Sequence, residues 1–113
     1  MANSFINKKA DLTTTSATTL YTVPSAATSV IKSILVSEDS GNADTITVTI
    51  TDTSDNVFSL FKTKSISANA TTELISNPLV LEECEVLKVT AATANILHVV
   101  LSALEIKPRE VTT

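Results

Sequence analysis

At 113 residues, 43% hydrophobic and 18% charged, the chain has the size and apolar content of one globular domain, not of a disordered segment. Its formal charge of −4 argues against nucleic acid or an anionic membrane as partner, since both attract basic surfaces. Aromatic residues make up 4% with no Trp, so the core must be Val, Ile, Leu and Ala, and the single Cys84 excludes an intrachain disulfide.

Residues 1–11 read as an N-terminal arm, polar except for Phe5 and Ile6 and carrying Lys8-Lys9. The arm has no apolar stretch of the secretory kind, and no 18-residue apolar run occurs anywhere. The expectation is synthesis in a reducing cytoplasm.

Residues 12–106 read as one β domain. Leu12 to Val23 is Thr-rich and holds a first strand or two, ending at Pro24. After the small-residue loop Ser25 to Ser29, Val30 to Ser37 is a strand with apolar residues on both faces. Glu38 to Ala43, with Gly41-Asn42, reads as a hairpin turn.

Thr45 to Thr51 is the clearest signal in the chain. All seven residues are β-branched, and a period of two puts Ile46, Val48 and Ile50 on one face and four threonines on the other. This threonine ladder, free of charge and proline, belongs either in the interior of a sheet or at an edge shielded by another subunit.

Thr53 to Asn56 is the next turn, followed by a strand at Val57 to Lys64 with Phe58 and Leu60 inward. Ser65 to Ala68 and Thr71 to Ser76 flank a turn at Asn69. Leu79 to Leu81 and Val86 to Ala91 are short strands around a turn at Glu82 to Glu85. Gly41 is the only glycine, so positive-φ turn positions are expected at Asn42, Asn56, Asn69, Asn77 and Asn95.

Ile96 to Ile106 is the last and longest strand. Leu97, Val99, Leu101 and Ala103 form one apolar face, and Ile96, Val100 and Leu104 form a second, with His98 and Ser102 among them. A two-layer sandwich covers only one of these faces. Either the strand ends are partly exposed, or a neighbouring subunit covers the second face. Residues 107–113 read as a charged C-terminal tail. About eight strands at this spacing predict an all-β antiparallel sandwich of jelly-roll or Ig-like topology.

No chemistry is announced by spacing. His98 is the only histidine and has no acid near it in sequence, so it reads as a packed or interface residue. Cys84 lies among Glu82, Glu83 and Glu85, which disfavour a reactive thiolate. These carboxylates, and the pairs Asp52/Asp55 and Asp39/Asp44, lack the alternating spacing of a calcium loop. Asn69-Ala70-Thr71 matches the glycosylation acceptor but serves better as a turn. The expectation is a non-enzyme without cofactor or metal.

Three stretches together resemble small β-sandwich virion proteins of tailed bacteriophages. They are Thr18-Thr19-Leu20-Tyr21-Thr22-Val23-Pro24 with Val30 to Ser37; the Thr45 to Thr51 strand; and Pro78-Leu79-Val80-Leu81 with Leu87 to Ala91, closing on Val99 to Ile106. Where such proteins often carry Ala-Gly after the Pro, this chain has Ser25-Ala26-Ala27. Where they tend to carry Gly-Asp before the Leu-Lys-Val strand, it has Cys84-Glu85. The resemblance implies a virion structural protein, foremost a capsid decoration or cement protein, binding a major capsid protein or tail and neck proteins. The other implied roles are a tail- or neck-associated protein and a carbohydrate- or receptor-binding module. A closed homo-oligomer such as a trimer is expected. The expected contact residues are Phe5 and Ile6 in the arm, and Ile96, His98, Val100 and Leu104 on the last strand.

Overall fold

A computed structural model describes residues 2–107, and all its regular structure is strand. In chain order the strands are β1 (Ala2–Asp11), β2 (Thr18–Thr22), β3 (Thr28–Glu38), β4 (Asp44–Thr51), β5 (Val57–Ile66), β6 (Thr71–Glu73), β7 (Leu79–Leu81), β8 (Val86–Ala91) and β9 (Leu97–Lys107). One sheet runs β1-β9-β3, with β6 and β7 both on the far edge of β3; the other runs β2-β8-β4-β5. All pairings are antiparallel. The first strand pairs with the last, β2 with β8, β3 with β6 and β7, and β4 with β5. The chain is thus a long hairpin rolled into two layers, and the expected antiparallel sandwich is the one observed.

The core lies between the layers and is aliphatic. Ile31, Ile34 and Val36 of β3 and Leu97, Val99 and Leu101 of β9 face Ile46 and Val48 of β4 and Leu87 and Val89 of β8, all wholly buried. Tyr21 is the one aromatic fully inside. The Thr45 to Thr51 strand is interior, hydrogen-bonded to β5 on one side and β8 on the other. Its isoleucines and valine are buried and its threonines half-buried, as a period of two requires.

Four readings of the sequence are corrected. Residues 2–11 are not an arm: they form β1, paired with β9 over their whole length from Ala2↔Lys107 to Asp11↔His98. Lys107 belongs to β9, so of the expected tail only 108–113 remain, outside the described residues. Gly41-Asn42 is not a hairpin turn, because β3 and β4 lie in different sheets and the loop crosses between layers. Phe58 shares the core-side face of Ile50, its cross-strand partner, yet is 54% exposed. It lies on β5, the edge strand of its sheet, where the core gives way to solvent.

The turns use side-chain carboxylates where a glycine-rich protein would use backbone freedom. Asp52 accepts the backbone N–H groups of Ser54 and Asn56, both at 2.9 Å. Glu85 accepts from the N–H of Glu82 at 2.7 Å, and Glu83 accepts from that of Ala26. Positive φ occurs at Asn69 and Asn95 as expected, but otherwise at Gly41, Ala26, Asp55, Thr63 and Cys84, not at Asn42, Asn56 or Asn77.

Candidate protein interface

Among the described residues, no second layer covers the outer face of the β1–β9–β3 sheet. Cross-strand partners share a face, so register alone assigns its residues. Phe5 stands opposite Leu104, Leu104 opposite Val30, and Val30 opposite Val80. These four apolar side chains form one row across four strands. Phe5 is 80% and Val80 57% exposed, while Leu104 and Val30 between them are half-buried. A second row, two pairs along, reads Lys9, Val100, Leu35 and Glu73.

At one end of this face β1 and the loop after β3 bring two acids to His98. Its Nε2 lies 3.2 Å from Asp11 and its Nδ1 3.7 Å from Asp39. Residue spacing does not mark this cluster, because the acids lie far along the chain from the histidine. With both ring nitrogens turned to carboxylates and no nucleophile in the group, the cluster ties β1, β9 and the β3–β4 loop together. Among the described residues no group of three or more His, Cys, Asp or Glu side chains is placed to hold a metal ion.

The expected contact residues divide. Phe5, Val100, Leu104 and His98 all lie on the outer face. Ile6 does not: it stands opposite buried Ala103 and packs on the core. Ile96 does not either: it precedes β9 and packs against the core. Val30, Leu35 and Val80 belong to the face but were not singled out. The signal available was the two-sided apolar pattern of Val30 to Ser37, the same pattern that drew attention to β9.

The outer face of the other sheet has a different chemistry. Thr47 pairs with Thr90, and Thr45 and Thr49 with Ser65 and Ser59, giving a surface rich in hydroxyls and interrupted by Lys88. The Thr47 hydroxyl also accepts the backbone N–H of Thr63 at 3.0 Å, holding a left-handed residue at a bulge in β5.

Beneath the apolar row a polar group is buried. The Tyr21 hydroxyl donates to Glu105 at 2.6 Å. Burial, and then the Glu105 carboxylate, push the Tyr21 phenol up to about 12. Ser29, opposite Glu105 in the ladder, is wholly buried beside this pair. A depression of about 330 Å³ lies near this end, lined by Ala26, Ala27, Thr28, Glu82, Glu83 and Ile106. It holds no pairing of nucleophile and base.

No family model, curated protein or solved structure matches this chain.

Proposed function

We propose that this chain is a structural protein of a tailed-phage virion, a decoration subunit that binds other virion proteins through the outer face of the β1–β9–β3 sheet. The observation that carries the reading is the exposed Phe5–Leu104–Val30–Val80 row, on a sheet face that a solitary sandwich would leave polar. Counting β6 and β7 as one strand, the strand order in the two sheets supports a jelly-roll reading, an architecture used by viral capsid and lectin domains. The resemblance gains support from Ala26 and Cys84, where the chain departs from glycines. Both adopt the left-handed backbone that glycine serves best, with φ of 60° and 65°.

The mechanism is passive burial. A stable interface buries about 1,200–2,000 Å² in total, with its energy concentrated in a few apolar anchors. Val30 and Leu104, at the centre of the row, are the anchors of this face. The test is binding of the purified protein to particles of the encoding phage that lack it, with position read by immunogold labelling. Label over the whole head supports decoration. Label only at the neck or tail moves the protein there, and no binding sinks the reading. Leu104→Asp should weaken binding about tenfold or more while leaving the strand spectrum unchanged.

A second reading, a carbohydrate-binding module, draws on exposed Phe58, an aromatic at the edge of the sheet whose other face bears the hydroxyls. Glycan-array binding that Phe58→Ala abolishes would raise it above the first.

A further inference from the structure

We infer that β1 is a self-pairing edge, and that two copies of this chain join through it about a two-fold axis at Phe5, making one continuous sheet. This rests on the edge geometry and not on the virion reading.

Sheet edges invite pairing unless blunted by bulges, charge, proline or short length. Three of the four edges here are blunted. β2 has five residues and a register shift between Thr19 and Tyr21. β5 has two register shifts and carries Lys62 and Lys64. The edge at β6 and β7 is split into two three-residue pieces, with Pro78 just before the second. β1 differs: its register with β9 runs unbroken over ten residues, and Ala2 to Asn7 holds no charge and no proline.

The free backbone groups of β1 can be assigned. Leu12 donates its N–H to Leu97 at 3.0 Å, continuing the β1–β9 register. The two-residue alternation of an antiparallel ladder then turns the even residues toward β9 and the odd residues Asn3, Phe5 and Asn7 outward. All three are exposed. Outside the β9 ladder, no backbone hydrogen bond among the described residues involves Asn3, Phe5 or Asn7.

A two-fold axis at Phe5 uses these groups self-complementarily. Phe5 meets Phe5 of the second copy, and Asn3 meets Asn7 of the second copy in both directions, each pair exchanging two main-chain bonds. Lys8 and Lys9 then face no lysine. The apolar row doubles, running Val80, Val30, Leu104, Phe5 and back through the second copy without interruption. Axes farther along the strand set Phe5 against Asn7 or Lys9 and break the row. An axis at Lys9 sets like charges face to face.

Sedimentation velocity of the full chain over a concentration series tests this. The wild type should run as a dimer at the upper concentrations, and Asn7→Pro as a monomer with an unchanged strand spectrum, because that N–H serves no bond among the described residues. Phe5→Lys and Phe5→Glu should each be monomeric alone, and their equimolar mixture should recover the dimer. A monomeric wild type, an assembly that survives Asn7→Pro and Phe5→Lys, or a mixture that does not reassociate overturns the inference. The virion reading would stand or fall separately, on particle binding.

Discussion

Glu38 gathers two turns onto one carboxylate. It accepts the N–H of Ser40 at 2.6 Å, of Gly41 at 3.1 Å and, from the turn that leads into the neighbouring strand β6, of Asn69 at 2.9 Å. Burial pushes its carboxyl up, but the hydrogen bonds from Ser40, Asn69 and Gly41 together outweigh it and hold the group at about 2. A carboxyl lowered on folding stabilises fully above its ordinary value of 4.5, and that stabilisation fades as pH falls toward 2. Melting temperature should therefore drop across that window in the wild type and drop less in Glu38→Gln. Tyr21 gives the opposite limb. Its phenol is raised from 10.0 to about 12, so its contribution is whole below pH 10 and lost as pH rises through 12. Tyr21→Phe leaves Glu105 short of its donor and should cost about 1–3 kcal/mol by denaturant unfolding. Left-handed Ala26 and Cys84 point the other way. Relief of about 1–2 kcal/mol of backbone strain exceeds the added freedom of an unfolded glycine, so Ala26→Gly should stabilise by about 0.5–1 kcal/mol. Residue type did not mark these positions, which only the glycines of the resembling proteins point to, because sequence shows which residues tolerate positive φ, not which loops must cross between layers and demand it.

β4 and β9 were readable from pattern alone, since an alternation of seven or more residues has one structural meaning. β1 was not. Its alternation puts Asn3, Phe5, Asn7 and Lys9 outward and Ser4, Ile6, Lys8 and Ala10 inward, with apolar residues too sparse on either side to mark a face. What makes it a strand is the ladder offered by β9. The element nonetheless contributes burial, because Ile6 and Ala10 pack on the core. A variant lacking residues 2–11 should lose at least about 2 kcal/mol, the value of one buried isoleucine, and leave β9 with an open edge prone to aggregate. Equilibrium unfolding and light scattering would measure the two effects. The outer face was half legible for a related reason: a two-sided apolar strand signals an uncovered face, but only register reveals that Phe5, Leu104, Val30 and Val80 line up.

The rolled hairpin sets the behaviour of the whole molecule. Only the β4–β5 pair is closed by a short turn, while β1–β9 joins the ends of the described chain. Folding must close long loops before most ladders form, so refolding is expected in milliseconds to seconds by stopped flow. Mutations in the β4–β5 hairpin should slow it more than mutations in β1. The same topology sets the geometry of attachment. Ala2 lies directly opposite Lys107, so material fused at either end of the strands departs from one corner of the sandwich, beside the apolar row. A short flexible linker across that corner would close the backbone into a ring, which could be reopened at the exposed Thr53–Asn56 turn. Such a permutant would keep every ladder while turning the longest-range contact in the chain into the shortest, and would carry its new ends away from the apolar face.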